Sequence, residues 1–147
     1  MFRRVAAVVT VALAALLLPS PASAAGSALV FRKAYVNSPG PDTRTNASLN
    51  AEYIVIRNIG ARSRNLRGWT VRDKAGHVYA FTSDFILKPD TYVKLHTGKG
   101  TNSASHRYWG SGNYIWNNKG DTAYLRRPSG TNADVCSWGK VASYIRC

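Results

Sequence analysis

The chain has 147 residues, of which 20 are Lys or Arg and seven are Asp or Glu, so its formal net charge is +13 at pH 7. This length suits one domain with one hydrophobic core and argues against several domains. The positive charge favours association with anionic partners at low ionic strength, although charge by itself confers no specificity. The simpler alternative is that the charge only keeps the domain soluble.

Residues 1–24 are predicted to be a secretory signal peptide. Arg3 and Arg4 supply a positive n-region, residues 5–18 are apolar, and Ala22-Ser23-Ala24 has the form of a cleavage site. Cleavage after Ala24 would leave residues 25–147 as one domain, with two positive charges fewer than the full chain. A single-pass anchor is the alternative, but the apolar run is short for a bilayer span. We therefore expect a secreted, extracellular protein without stable membrane insertion, and cell-wall association is a further option.

Cys136 and Cys147 are the two cysteines of the chain. An even count in a secreted protein favours a disulfide over two free thiols. Such a bond would attach the C-terminus to the last predicted strand. In the chain-entropy model a loop of about a dozen residues is worth about 3 kcal/mol.

Short alternating segments, separated by turn residues, predict an all-β fold. The predicted strands, in chain order, cover residues 29–36, 52–58, 68–73, 78–81, 91–96, 121–126 and 133–138. Alternation along each strand assigns one set of side chains to the core and the other to solvent. In the first strand Leu29, Phe31 and Lys33 would share the inner face.

A polar loop follows the first strand and is a candidate functional loop. Its run of turn formers begins at residue 37, and the loop continues to Ser48. Oxygen-bearing side chains that would suit a hard cation such as Ca²⁺ occur in and just after it, namely Asp42, Asn46, Asn50 and Glu52. The spacing is not that of an EF-hand, and the nearby Arg44 opposes a cation, so we predict no metal and no cofactor.

The most informative segment begins at Trp116 and ends at Leu125. Asn117, Asn118, Gly120 and Asp121 are turn-forming residues. The alternation that follows is typical of a strand with one buried face. The segment is therefore predicted to be a turn that leads into a strand.

Several segments, in this order and spacing, together resemble the lamin tail domain. They are residues 37–42, 49–53, Asn58, residues 66–70 with Asp73, residues 96–98 and residues 116–121. The resemblance implies an immunoglobulin-like β-sandwich of about seven to nine strands, in a bacterial secreted single-domain member. It also implies an interaction module without shared catalytic residues. Trp69 would then fill the core, Gly68 and Gly120 would serve turns, and Asn58 and Asp121 would be hydrogen bonders.

Patterns that would indicate catalysis are weak. Ser111 lies between Gly110 and Gly112, which is not the G-x-S-x-G elbow. The three histidines, His77, His96 and His106, have no acidic residue at a telling spacing and are expected on surface hairpins. We therefore predict that the protein is not an enzyme. An extracellular hydrolase or nuclease with an unrecognised site is the third hypothesis.

Basic and aromatic residues form the candidate binding set. Strand parity places Arg57, Arg72, Lys94, Arg126, Tyr53, Tyr92 and Tyr124 opposite the core, and Arg62, Arg64 and Arg67 would extend the set from one edge. Arginine binds phosphate bidentately and tyrosine faces stack on bases or sugars. The alternative is that two sheets divide these residues, because parity defines the face of a sheet but not the sheet.

The predicted function is a secreted, non-enzymatic binding or scaffolding module. Its partner would be an anionic extracellular polymer, either nucleic acid or a teichoic-acid-like polymer. The second hypothesis is a protein-interaction module for a separate secreted enzyme or cell-wall complex. Binding that weakens steeply with salt would favour the polymer. The sequence does not indicate an oligomeric state.

Overall fold

A computed structural model describes residues 26–147, and β-strands dominate that range. The described elements, in chain order, are β1 (Leu29–Tyr35), α1 (Asn46–Ala51), β2 (Tyr53–Asn58), β3 (Arg64–Asn65), β4 (Thr70–Arg72), β5 (Val78–Ala80), β6 (Ile86–Leu87), β7 (Tyr92–His96), β8 (His106–Tyr108), β9 (Asp121–Arg126), β10 (Asn132–Trp138) and β11 (Tyr144–Arg146). The all-β prediction is therefore confirmed. The predicted signal peptide lies outside the described residues and stays a prediction.

Three sheets organise these strands. A five-stranded sheet has the order β11-β1-β2-β7-β8, a four-stranded sheet has the order β10-β9-β4-β5, and β3 pairs with β6. Every pair is antiparallel except β7 with β8, which run parallel. No helix of the described range is long and apolar enough to span a bilayer.

The core lies between the two larger sheets, which pack as a β-sandwich. The five-stranded sheet contributes Ile54 and Ile56 of β2, and the four-stranded sheet contributes Val71 and Leu125, all completely buried in one cluster. Each such side chain stabilises the fold by about 1.5–3 kcal/mol. Because one side of each sheet is used in this way, the alternate side chains lie on the two outer faces.

A β-bulge in β1 overturns one prediction, which placed Lys33 on the inner face. The register of β1 against β2 shifts between Phe31 and Lys33, so Lys33 turns outward and Ala34 enters the core. The Asp134 carboxylate of β10 accepts the Phe31 amide at 2.7 Å, beside a matching register shift between β10 and β9. The extra residue of a bulge reverses the inward–outward parity.

Several short elements were not expected from the sequence. Helix α1 forms where a polar loop was predicted, and the Oγ1 of Thr45 caps it by accepting the Ser48 amide at 3.3 Å. The unexpected strands β3, β6, β8 and β11 have only two or three residues each. Segments of two or three residues are too short to show an alternation of apolar and polar side chains. The described strands therefore outnumber those predicted.

The predicted disulfide between Cys136 and Cys147 is present. Cys136 belongs to β10 in the four-stranded sheet, whereas Cys147 directly follows β11 in the five-stranded sheet. The amide of Cys147 also donates to the carbonyl of Arg32 at 3.2 Å. The bond therefore joins the two sheets, in addition to holding the C-terminus in place.

Asn58 fills the hydrogen-bonding role expected of it, at the end of β2. Its fully buried side chain donates through Nδ2 to the carbonyls of Arg62 and Leu87, at 2.8 and 2.9 Å, and Oδ1 accepts the Gly60 amide at 3.0 Å. The β3–β6 pair is attached to the five-stranded sheet through these contacts.

Replacing Asn58 with Ala should lower the free energy of unfolding by about 3 kcal/mol, because it leaves two carbonyls and one amide without partners in the interior. Urea denaturation would measure the loss. The matched control is Asn102→Ala at an exposed position, which should change stability by less than about 0.5 kcal/mol. Equal stability of the two variants would contradict this role for Asn58.

The double variant Cys136→Ala/Cys147→Ala should lose about 3 kcal/mol of stability in the chain-entropy model. Since β11 is an edge strand that pairs with β1 alone, its amides should exchange with solvent faster than those of β2 once the bond is gone. Hydrogen exchange measured by NMR would test this. Treatment of the native protein with reductant should reproduce both effects, and reductant should not change the double variant.

Candidate functional site

The predicted binding residues fall into three groups, so the alternative in which two sheets divide them is the one observed. Tyr53, Arg57, Tyr92 and Lys94 lie on the outer face of the five-stranded sheet, Arg72, Tyr124 and Arg126 lie on the four-stranded sheet, and Arg62, Arg64 and Arg67 lie in or beside β3. These residues do not form one continuous face. The five-stranded sheet, however, adds residues that the sequence analysis did not single out.

One row of aromatic side chains crosses the whole outer face of the five-stranded sheet. We call it the aromatic row, and its members, one from each strand, are Tyr144, Tyr35, Tyr53, His96 and Tyr108. The ring centroid of Tyr35 lies 5.8 Å from that of Tyr144 and 5.5 Å from that of Tyr53, and both pairs are stacked. Cross-strand aromatic pairs of this kind stabilise a sheet and hold its register.

The rings of the aromatic row cover one another's faces. His96 stacks on Tyr108 with a centroid separation of 4.9 Å and meets Tyr53 at a tilt, 5.6 Å away. The backbone of Gly100 lies so close to Tyr108 that a Cβ added there would collide with the ring. Interior members of the row therefore direct edges and hydroxyls, more than ring faces, toward solvent.

A second cross-strand row lies two residues away from the aromatic row on each strand and carries positive charge. We call it the basic row, and its members are Arg146, Lys33, Val55, Lys94 and His106. Three of them, Arg146, Lys33 and Lys94, are formal cations at pH 7. Lys33 Nζ lies 4.0 Å from the centroid of Tyr144, and Lys94 Nζ lies 4.9 Å from that of Tyr53. These cation–π contacts join the two rows and hold the ammonium groups on the face.

Acidic side chains are absent from the five strands of this sheet within the described chain. Four of the acids are engaged as acceptors of backbone amides, and these are Glu52, Asp73, Asp121 and Asp134. Arg57 pairs with Asp90 at 3.4 Å and Arg67 pairs with Asp84 at 3.6 Å. The face is cationic because most acids are engaged elsewhere and Asp90 offsets only Arg57.

A hydrogen-bonded histidine pair links the aromatic row to the basic row near the β8 edge of the sheet. His96 Nδ1 lies 2.8 Å from the carbonyl oxygen of Asn50, and His96 Nε2 lies 2.8 Å from His106 Nδ1. A carbonyl only accepts, so His96 donates from Nδ1 and receives the proton of His106 at Nε2. Burial lowers the pKa of His96, and the charge of Lys94 acts in the same direction. His96 therefore resists protonation.

The possible cation ligands hold the loop after β7 instead of converging on an ion. The side-chain amides of Asn46 and Asn50 both donate to the carbonyl of Lys99, at 2.9 and 2.8 Å, and Asn46 Oδ1 accepts the Lys99 amide at 2.7 Å. Glu52 turns into the interior. Among the residues that the structure describes, no cluster of three or more His, Cys, Asp or Glu is placed to hold a metal ion.

Glu52, at the C-terminal end of α1, is the most deeply buried carboxyl group among the described residues, with 1% exposure. Its Oε1 accepts the Thr97 hydroxyl at 2.6 Å and the amides of Ile115 and Trp116 at 2.9 and 3.2 Å. Oε2 has no hydrogen-bond partner among the described residues. Burial raises the pKa of Glu52 to about 7, although the three donors oppose the shift.

The residues around Trp116 have the structural role that the sequence predicted. The Gly120 amide donates to the carbonyl of Asn117 at 3.2 Å, and the Asp121 carboxylate closes the turn by accepting the Asn117 amide at 3.0 Å. Asn118 donates to the side chain of Asn37 at 3.1 Å. The segment thus forms a turn that enters β9 at the predicted residue.

Trp116 and Trp69 both pack against the core, to different depths. Trp116 is buried and meets Trp109 and Trp138 edge to face, with centroid separations of 5.9 and 5.7 Å. Trp69, which was expected to fill the core, is partly buried against the cluster.

An Asp–His pair corrects the expectation that the histidines lack an acidic partner. The ring Nδ1 of His77 lies 2.5 Å from the buried carboxylate of Asp73, which also accepts the amides of Gly76 and His77 at 2.7 Å. The pair lines a cleft of about 490 Å³ between the β4–β5 turn and residues 113–121. The sequence separation of four residues reflects the hairpin turn, which the carboxylate holds together.

The outer face of the four-stranded sheet has a different character. Its central cross-strand row consists of Val135, Tyr124, Arg72 and Val78. Val135 and Val78 are 46% and 41% exposed. Arg126 lies beside this row, where its guanidinium contacts the Tyr124 ring at 5.6 Å and donates to Asn132 at 3.0 Å. This face therefore combines apolar and basic groups.

Sequence reasoning missed much of the five-stranded face for identifiable reasons. The bulge hid Lys33 and Tyr35, whose parity it reverses. Tyr144 and Arg146 alternate around Ile145, a signal that was available but short. His106 and Tyr108 join the face through a parallel pairing of β8 with β7, which local sequence does not reveal.

The sandwich, its cross-strand rows and its structural turn define an immunoglobulin-like module. The lamin tail domain family model matches residues 22–140, and the chain belongs to that family. No curated protein matches the chain. The predicted resemblance is thereby confirmed at the level of the family.

Glu52→Gln should remove a pH dependence of stability. The folded pKa of about 7 lies above the model value of 4.5, so the native state binds the proton more tightly than the unfolded chain. This carboxyl therefore favours folding at low pH, and up to about 3 kcal/mol of stability is lost as the pH rises from about 4.5 to about 7.

Urea denaturation at pH 5 and pH 8 would measure this difference. The stability of Glu52→Gln minus that of the native protein should be larger at pH 8 than at pH 5. Asp90→Asn, at an exposed carboxyl, should leave the difference as it is in the native protein. Parallel behaviour of Glu52→Gln and the native protein over this range would contradict the shift.

Proposed function

We propose that this protein is a secreted, non-enzymatic binding module that engages an anionic extracellular polymer. The surface is the outer face of the five-stranded sheet. The observation that carries the proposal is the basic row beside the aromatic row, on strands that contain no acidic residue within the described chain. Cationic side chains attract polyanions. Because cation–π contacts already order Lys33 and Lys94, binding costs less side-chain entropy.

Two further observations support the proposal. The disulfide between Cys136 and Cys147 suits an oxidising compartment outside the cytosol. Membership of a family of non-catalytic domains supports the absence of enzymatic activity. The Asp73–His77 pair is explained by its role in the β4–β5 turn, where Asp73 also accepts two backbone amides.

A protein-interaction module is the second candidate function. The exposed Val78 and Val135, on either side of Tyr124 and Arg72, support it because apolar and aromatic groups with arginine are enriched at protein interfaces. Such an interface would depend on the four-stranded sheet, and its affinity would respond weakly to salt. The two candidates are therefore separable by face and by ionic strength.

The double variant Lys33→Gln/Lys94→Gln should elute from a heparin column at lower salt than the native protein. The control Lys74→Gln/Lys140→Gln removes the same charge from exposed positions outside the five-stranded sheet. It should elute close to the native protein, because the contact charges are intact. Equal displacement of both variants would mean that net charge, and not this face, binds the polymer.

A further inference from the structure

We infer that the face binds a base-free phosphodiester polymer, a chain of polyol phosphates that lies across the strands along the basic row. This inference rests on the proposed function and names the chemistry of its ligand. It is carried by the direction and width of the basic row and by the mutual stacking of the tyrosine rings. Nucleic acid, which shares the phosphodiester but adds bases, is the competing ligand.

The direction of the ligand follows from the register of the sheet. Arg146, Lys33, Lys94 and His106 lie at one level on four of the five strands. Since neighbouring strands are about 4.8 Å apart, these groups span about 19 Å at right angles to the strands. A polyanion that contacts all of them must therefore run across the sheet.

The row is one side chain wide, which favours a single flexible chain. On one side it is bordered by the aromatic row. On the other side the next level contains Val30, Arg57 and Tyr92. Arg57 is already paired with Asp90 at 3.4 Å, so it adds less to the positive electrostatic potential of the face than an unpaired cation would. The three formal cations at one level, Arg146, Lys33 and Lys94, can each meet a phosphate of one extended backbone.

Bases would need free aromatic faces, and the interior rings do not offer them. Tyr35 lies between two stacked tyrosines, and Tyr53 lies between Tyr35 and His96. Base recognition on a sheet requires rings that expose a face for stacking. Here the rings stack on each other and the lysine ammonium groups lie against them, so the affinity for bases is low.

Phosphate and hydroxyl groups, by contrast, fit what the face presents. Ammonium groups of Lys33 and Lys94 are held on the surface by their contacts with the rings. Burial raises the pKa of Tyr53, so its phenol stays protonated and can donate. Phenol groups both donate and accept, as do the free hydroxyls of a polyol phosphate. The backbone of a polyol phosphate therefore supplies both the phosphates for the lysines and the hydroxyls for the tyrosines, without any base.

The test compares poly(glycerol phosphate) of ten repeats with oligo-dT carrying ten phosphates. Competition against one fluorescent polyanion, from 50 to 200 mM NaCl, gives both affinities. We expect poly(glycerol phosphate) to bind at least as tightly as oligo-dT, with a similar salt slope, because the bases gain no contact on this face. Lys33→Gln/Lys94→Gln should reduce both slopes by about one unit for each lysine that contacts a phosphate. Lys74→Gln/Lys140→Gln should change neither.

A tyrosine variant separates backbone binding from base stacking. Tyr92, at the level beyond the basic row, and Tyr144, at the sheet edge, are the most exposed rings of this face, at 48% and 44%. The double variant Tyr92→Leu/Tyr144→Leu removes both rings and should affect both ligands alike. Amide shifts on titration with poly(glycerol phosphate) should map to strands β11, β1, β7 and β8.

Two results would overturn the inference, and they are distinguishable. Oligo-dT that binds more than about tenfold tighter and loses this advantage in Tyr92→Leu/Tyr144→Leu would establish base stacking. The anionic-polymer function would then stand, with nucleic acid as its ligand. Failure of both polymers to bind at 50 mM NaCl would remove the proposed function as well.

Discussion

Burial of alternate side chains between two sheets is the constraint on which the other features of this protein depend. Complete burial is seen for Ile54, Ile56, Val71 and Leu125. Because side chains alternate along a strand, the residues next to them lie on the two outer faces. The cross-strand rows are a consequence, because antiparallel register brings the outward residues of neighbouring strands side by side. The aromatic and basic rows thus owe their straightness to the register that the core and the disulfide maintain.

Positive surface charge follows from the use of acids inside the fold. Asp73 and Asp121 hold turns by accepting backbone amides, and Asp134 takes the amide at the β1 bulge. Glu52 secures residues 115–116 from the interior. A chain that uses its few carboxylates as backbone acceptors leaves its lysines and arginines largely unopposed outside. Fold stability and the cationic face are therefore two results of the same arrangement.

Prediction from sequence succeeded where local signals were long and failed where pairing was non-local. The turn at Asn117–Gly120 and the strand from Asp121 were recognisable because turn residues and alternation adjoin. Lys33 was assigned to the wrong face because a bulge changes parity without a sequence mark of its own. The candidate site was half recovered: Tyr53, Arg57, Tyr92 and Lys94 were named, but their neighbours on β1, β8 and β11 were not.

The sequence by itself determined the fold class, the family, the disulfide and the excess of positive charge, because these depend on composition, periodicity and ordered motifs. Tertiary structure alone decided which basic residues act together. Strand order separates Arg72 from Arg57 and brings Tyr144 beside Tyr35, more than a hundred residues away along the chain. The physical reason is that alternation defines the face of each strand, whereas hydrogen bonding between distant strands defines its neighbours.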